Sequence, residues 1–560
     1  MSTLFLKSKT AAYYMTLNNN VLLYTEEFDN AAWVKTSGTI TANSDGVADT
    51  FTATSANATC YQAVTAELAN RTFSIYIKRK TGTGVVSITP DGTNFEDVTS
   101  QINGATYTRV DLTASSSGAI TAGVKLATSG DEIYIKQAQL EDGALDTYAI
   151  NVASRYTVTQ VTDTDYPSNT VRGCAHLDGR IFVMTPIGEI FQSGSEDPAA
   201  WEALDFIQSQ KDAHAGVFMA KYRDHVVALK TYSMEFFYNA ANPSPGSVLS
   251  PVDNLYAQIG CAHEDSVKEM ADMIVWMGQS KEGFGRGVFA LSGDLPNKIS
   301  TPQIDKILDN DDLASVKSWS AKVGAHLLYG LTLGTSGVTV VYDFMSKLWS
   351  FFTCLTASGG TKTITAIAAD GSVTSAAHGY SDGAIIKVAS TNADFNGWHV
   401  VTNVSTNGYN IQATGTAFSG SGTSQLYTES VFPVIASTAC GGRQWMQDAT
   451  SGALYEFDQD IYADEVGATA ARVRTSKFDS GKAGFKTIGQ AELIGDKIDS
   501  HALLRWTDDD YATYSKFRTI DLDLERSRAR RLGNFSRRAF EILHVKDKNF
   551  RMEALEIEGN

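Results

Sequence analysis

HLDGRIFVMTPIGEIFQS, residues 176–193, sets an apolar strand against a second strand rich in aromatics across a polar turn. The pattern returns in YRDHVVALKTYSMEFFY (222–238), MIVWMGQSKEGFGRGVFALS (273–292), HLLYGLTLGTSGVTVVYDFMSKLWS (326–350) and RQWMQDATSGALYEF (443–457). The first four centres lie about 45 to 55 residues apart, the length of one four-stranded propeller blade. Setting aside residues 359–428 brings the fifth close to that spacing. The final 100 or so residues, with HALLRWTDDD and FEILHVKDKNFRMEALEIEG, offer strands for one more blade. The fold class expected is therefore mostly β, a propeller of about six blades.

Composition agrees. A chain of 560 residues with 43% hydrophobic content holds several domains with real cores, and 46 glycines with abundant Thr, Ser, Val and Tyr favour strands and tight turns. Residues 20–150 form a separate β-domain, in which Phe73, Ile75 and Ile77 alternate with Ser74, Tyr76 and Lys78, and IYIK (133–136) repeats the two-residue period. Residues 1–19 precede it as a strand or arm. Residues 359–428, rich in Gly, Ser, Thr and Asn, read as a small inserted β-module around a GYSDG turn, expected to fold independently and to be removable without loss of assembly. The propeller then spans 151–358 and 429–560.

The five cysteines, Cys60, Cys174, Cys261, Cys354 and Cys440, are odd in number and lack metal-ligand spacing, so buried free thiols are expected. The start, MSTLFLKSKT, has no signal-peptide pattern, and no stretch reaches the ~18 apolar residues of a membrane span, which points to synthesis and assembly in cytosol. Net charge is -17, with each large segment net acidic. Such a chain repels duplex DNA, which suits a wall that DNA only passes, though acidity also serves simple solubility.

Several motifs invite chemistry. GFGRG (Gly283–Gly287) lacks the spacing of a phosphate loop and precedes a strand, so a hairpin turn is the expected reading. DTDYPSN (163–169) lacks the glycine and glutamate of a calcium loop. Glu196 with Asp197, or Asp508 to Asp510, could supply the paired acids of a glycosidase, but nothing in the sequence separates them from solvated turns. In SGSEDPAAW, Asp197-Pro198 starts a turn and Trp201 follows as a packing anchor. ERSRARRLGNFSRR holds the one dense basic patch: Arg526, Arg528, Arg530, Arg531, Arg537 and Arg538. Docking on an acidic neighbour is the first reading; salt bridges with the preceding DLDLE and contact with nucleic acid are the others. Trp33, Tyr61 and Tyr76 are candidate glycan contacts, against the commoner fate of core packing.

Six phrases around Ser195 to Ile307, SGSEDPAAWEALDF, MEFFYNA, IGCAHEDSV, DMIVWMG, GRGVFALSG and NKIST, occur in one order. Together they resemble the tail nozzle proteins of short-tailed bacteriophages, also called packaged-DNA stabilisation proteins, over roughly residues 151–358 and 429–560. NVLLYTEEFDNAAWVK, YQAVTAELANRTFSIYIKR and IYIKQAQLEDGALDTY resemble a carbohydrate-binding-type jelly roll that recurs in phage virion proteins, and the insert resembles short β-repeats of phage tail proteins. The resemblance implies a non-enzymatic virion tail component without cofactor or metal. It also implies a homohexameric ring beneath a head-to-tail adaptor ring, touching tail fibres or spikes and host surface glycan, with genomic DNA passing through unbound. A six-fold ring would carry roughly a hundred negative charges, enough to disfavour DNA sticking to its wall. The runner-up is a phage receptor-binding or polysaccharide-depolymerase tail protein, which a compact acid pair and trimeric assembly would favour.

Overall fold

A computed structural model describes residues 4–17, 19–151, 156–282, 285–463, 467–479, 481 and 484–559. Strand accounts for 56% of the chain and helix for 3%, so the fold is mostly β. The chain divides into two compact units. The first comprises residues 1–185, 191–206 and 243–247; the second comprises 186–190, 207–242 and 248–560.

In the first unit, Leu4–Lys7, Ala12–Leu17 and Tyr156–Gln160 form one antiparallel sheet, with Tyr14 opposite Thr159. The expected N-terminal arm is thus two strands of a sheet whose third strand lies beyond the whole N-terminal domain. Ala12 packs with Val161, Ile181, Val183 and Trp201. Residues between these strands build an eight-stranded sheet on a single core that includes Trp33, Phe51, Phe73, Ile75, Ile77, Val124 and Ile135. Its longest strand, Ala58–Thr81, shifts register between Ala66 and Ala69. Even-numbered residues (Ala58, Cys60, Gln62) face inward before that shift and odd-numbered ones (Phe73, Ile75, Ile77) after it, as one inserted residue requires of a period of two.

Each of the five hairpins read from the sequence is found as two neighbouring strands of an antiparallel sheet: Arg180–Met184 with Glu189–Gly194, His225–Lys230 with Met234–Asn239, Met273–Gln279 with Gly287–Leu291, His326–Leu333 with Val338–Asp343, and Arg443–Asp448 with Leu454–Glu456. In the fourth, a Cβ on Gly330 would come within 2.1 Å of the Trp319 ring, so this strand crossing admits only glycine. Trp319 is fully buried and meets Phe352, Phe432 and Phe457 at 5.9, 5.9 and 6.5 Å, which joins the fourth of these sheets to the fifth.

The last 90 residues depart from expectation. Their described residues form, in place of a further blade, two sheets packed on each other, one ordered Thr469–Arg474, Ala539–Lys546, His501–Thr507, Arg518–Asp521, the other Ser527–Phe535, Lys486–Gly495, Met552–Gly559. Between them lie Ala491, Leu493, Leu504, Ala529, Phe540 and Ile542. A sixth hairpin repeat does not arise among their described residues because the strands pair across long sequence gaps.

The insert is bounded differently as well. Leu348–Ile367 and Phe418–Val431 pair from Thr353 with Val431 onward, so one continuous ribbon carries the module out of its sheet. The module has its own core of Ile364, Val373, Tyr380, Ile386, Phe395 and Tyr409. Its other face, Ile385, Trp398 and Val400, packs with Leu503, Phe517, Leu543 and Val545 of the C-terminal sheets. The module thus has a core of its own, while its other face is covered by the C-terminal sheets. The five cysteines form no disulfide among the described residues; Cys60 and Cys261 are buried, their thiols pushed up to about 12 by burial, whereas Cys440 is exposed at a hairpin tip.

Candidate functional site

The arginine run lies on and around the edge strand Ser527–Phe535. Strand alternation turns Ser527 and Ala529 to the core and Arg528 and Arg530 to solvent. Arg531 occupies a bulge between Gln490 and Ile488 of the neighbouring strand, with φ +58. The six arginines do not act together. Arg526 grips Glu492 through Nε at 2.9 Å and Nη2 at 2.6 Å, and Arg528 reaches the same carboxylate at 3.5 Å. Hydrogen bonds from Arg526 hold the Glu492 carboxyl below its ordinary range. Arg538 is buried. It makes a bidentate pair with Asp508 at 2.7 Å on both arms, donates to the Leu532 carbonyl, and lies 5.0 Å from the Trp506 and Phe535 rings. Arg530, Arg531 and Arg537 are exposed. The intramolecular partners are thus Glu492 and Asp508, not the DLDLE segment expected from proximity in sequence.

The candidate acids are each held apart in structural roles. Asp509 accepts from the Thr513 backbone at 2.8 Å and from Thr507, and Asp510 pairs with Lys477 at 2.6 Å, while Asp508 is taken by Arg538. Glu196 sits in a turn at φ +55 and Asp197 accepts from the Ala199 backbone at 2.9 Å. Asp163 of DTDYPSN accepts from the Trp201 backbone at 2.9 Å, and the Tyr166 ring meets Trp201 edge-on at 5.0 Å. That explains SEDPAAW and DTDYPSN as two halves of one packing joint.

The aromatic platform does not form. Trp33 is 1% exposed, donates from Nε1 to the Tyr24 carbonyl at 2.9 Å and packs on Phe28, which corrects its reading as a glycan contact. Tyr61 and Tyr76 are half-buried on the outward side of one strand, fifteen residues and a path of about 50 Å apart. Beside Tyr76, which the Arg109 guanidinium approaches at 5.9 Å, the same sheet presents Tyr107 and Tyr134 with Lys78 between them at 4.5 and 4.6 Å.

Two clusters escaped the sequence reading. Glu541, fully buried, accepts from Arg472 at 2.9 Å, Arg474 at 2.6 Å and Arg505 at 2.7 Å. Burial pushes its carboxyl up, but the hydrogen bond from Arg474 and the charges of Arg472 and Arg505 outweigh that and hold it below the usual range. Arg472 also pairs with Glu429 at 2.9 Å, which ties the insert's ribbon to the C-terminal sheets. The other is Arg286 of GFGRG, whose Gly283 and Phe284 lie outside the described residues. It donates to the Leu308 and Asp311 carbonyls at 2.9 and 2.7 Å, satisfying the C-terminal end of helix Pro302–Asn310. Register would reveal the Glu541 cluster, since Arg474 and Arg505 stand directly opposite it, but the pairing is not written locally in the chain.

Compared with known proteins, residues 74–376 match the phage-stabilisation family described as bacteriophage P22 Gp10, β-propeller. The match reaches further into the N-terminal domain, and less far into the C-terminal third, than the six phrases implied. No curated protein matches the chain. Among solved structures, BamB from Moraxella catarrhalis is 12% identical, covering 51% of this chain and 82% of its own, at TM-score 0.22. The Cps50 (Swd1) β-propeller domain of Myceliophteria thermophila is 9% identical, covering 51% and 87%, at TM-score 0.21. The WD40 domain of Toxoplasma gondii coronin is 7% identical, covering 76% and 86%, at TM-score 0.21. These likenesses are too slight to argue from.

Proposed function

Since the chain belongs to the phage-stabilisation family of the bacteriophage P22 Gp10 β-propeller, and so is a phage structural protein concerned with stabilising packaged DNA, we propose that it is the tail nozzle of a short-tailed phage. Six copies form a ring beneath the head-to-tail adaptor, close and extend the tail channel, retain the genome and release it at infection. The family match over residues 74–376 carries this reading.

The physical character of the chain supports a passive wall. Its charge of -17 disfavours adhesion of a polyanion, because DNA affinity comes from Lys and Arg displacing condensed counterions. The densest arginine run is half consumed internally, with Arg526, Arg528 and Arg538 on Glu492 and Asp508. Arg530, Arg531 and Arg537 remain to dock on an acidic protein neighbour. The protein acts by geometry rather than catalysis, a reading supported by the separate structural partners of Asp508, Asp509 and Asp510. The outer surfaces, including the N-terminal domain, meet fibres, spikes or host glycan.

Electron-microscopic class averages of virion tails test this. The nozzle reading expects a six-fold ring at the distal end of the tail, absent from particles that lack this protein, and those particles lose DNA. Intact DNA-retaining tails without it, or a trimeric assembly that cuts host polysaccharide, would replace the reading with the receptor-binding or depolymerase one.

A further inference from the structure

The three-stranded C-terminal sheet has two open edges of opposite charge. One edge is the arginine strand Ser527–Phe535; the other is the glutamate strand Met552–Gly559, and Lys486–Gly495 runs between them. On the solvent face the register sets Arg528, Glu492 and Glu556 in one row and Arg530, Gln490 and Glu558 in the next. Within the chain these rows are only half neutralised. Glu492 is taken by Arg526 and Arg528, and Glu558 accepts from Gln490. Arg530 and Arg531 on one side and Glu556 on the other are exposed and make no ion pair among the described residues. Behind them, Leu555 and Ile557 pack on the core yet stay only half-buried along the open edge.

An open edge is a template for another strand, and charges along it decide which strand is admitted. Arginine edge against arginine edge repels, as does glutamate against glutamate, so the unlike pairing alone is favoured. We propose that the arginine edge of one copy takes the glutamate edge of a second copy of this chain as an added strand. The contact is head-to-tail. Repeated, it closes into a ring or runs on as a filament. Both edge strands lie antiparallel to the middle one, so they run in the same direction. A neighbour related by rotation about an axis along the strands then adds its strand in parallel, which is the geometry a ring around a channel requires. The inference rests on the ring reading above and assigns it an interface.

The test uses the full chain and sedimentation velocity across a salt series. Arg530→Glu with Arg531→Glu makes both edges acidic, and Glu556→Lys with Glu558→Lys makes both basic. Each variant should keep the wild-type circular dichroism and melting curve but self-associate at least about tenfold more weakly, and an equimolar mixture of the two should recover association. A chain carrying all four changes should assemble with itself and not with wild type. Should the glutamate variant misfold, Arg530→Gln with Arg531→Gln carries the same expectation in milder form. Undiminished rings in either reversed variant overturn the edge pairing while leaving the ring reading intact. A wild-type chain that stays monomeric at every concentration and in tails overturns both. Salt-dependent affinity for duplex DNA, abolished by the arginine changes while association persists, assigns the edge to nucleic acid instead and overturns the proposal.

Discussion

In the blade-like sheets a strand finds its partner next along the chain, whereas in the C-terminal sheets it finds it up to 77 residues away. Val316–Val323, His326–Leu333, Val338–Asp343 and Leu348–Ile367 pair each with the next. Thr469–Arg474 instead pairs with Ala539–Lys546, Thr469 opposite Lys546, and Lys486–Gly495 with both Ser527–Phe535 and Met552–Gly559. Local pairing makes each blade a hairpin that closes a short loop. Distant pairing makes the C-terminal block depend on side chains that fix register, and this block uses charge to do so: Glu541 can accept from Arg474 and Arg505 only in the observed alignment. The insert is drawn into the same block by Trp398, Val400 and Arg472.

The contrast is broken most sharply at Glu541. Glu541→Ala leaves three arginines facing one another without their carboxylate, a change expected to cost about 3–5 kcal/mol. Denaturant unfolding followed at Trp506, which shares the sheet, reads it. A loss under about 1 kcal/mol would show that register is set without the cluster.

Acid comes next. His399, at the insert's contact with the C-terminal block, is pulled down to about 3 by burial and by the charge of Lys546; His544 is pulled down to about 4 by the same two causes. Folded pKa values below the ordinary 6.5 mean that the unfolded chain takes up protons first, so stability is complete above about pH 6.5 and falls as the pH drops toward 4 and 3. At pH 5 each imidazole should cost on the order of 2 kcal/mol. Melting curves at pH 7 and 5 for His399→Gln against wild type check the sign: the variant should be the less acid-sensitive.

The smallest effect belongs to the blades. Tyr329 is buried and donates to the Ser266 carbonyl at 2.6 Å, and Tyr329→Phe should cost about 1–2 kcal/mol with no change in the unfolding of the C-terminal sheets. Coupled loss in both regions would erase the distinction drawn here.

What could be read from the chain follows the same line. Hairpins such as His225–Lys230 with Met234–Asn239 are legible because strand, turn and strand are contiguous and alternate with a period of two. The C-terminal strands alternate just as clearly, but alternation says which face is buried and not which strand lies alongside, so they passed for another blade. The arginine run was visible as composition, yet its division into paired Arg526, Arg528 and Arg538 and free-facing Arg530 and Arg531 depends on register and on the bulge at Arg531. That Trp33, Tyr61 and Tyr76 form no common platform is not legible in the sequence, because Trp33 turns into the core and a register shift and fifteen residues separate the two tyrosines.

The account turns on the insert and the C-terminal sheets forming one block while the blades stand on local pairing. Hydrogen exchange on a chain lacking residues 359–428, joined at Ser358 and Glu429, measures this directly. It should show strands His501–Thr507 and Ala539–Lys546 losing protection, with Leu503, Leu543 and Val545 uncovered, while His225–Lys230 and Met273–Gln279 exchange as in the full chain. Unchanged protection at His501–Thr507 and Ala539–Lys546 would contradict it, and would return the insert to an ornament.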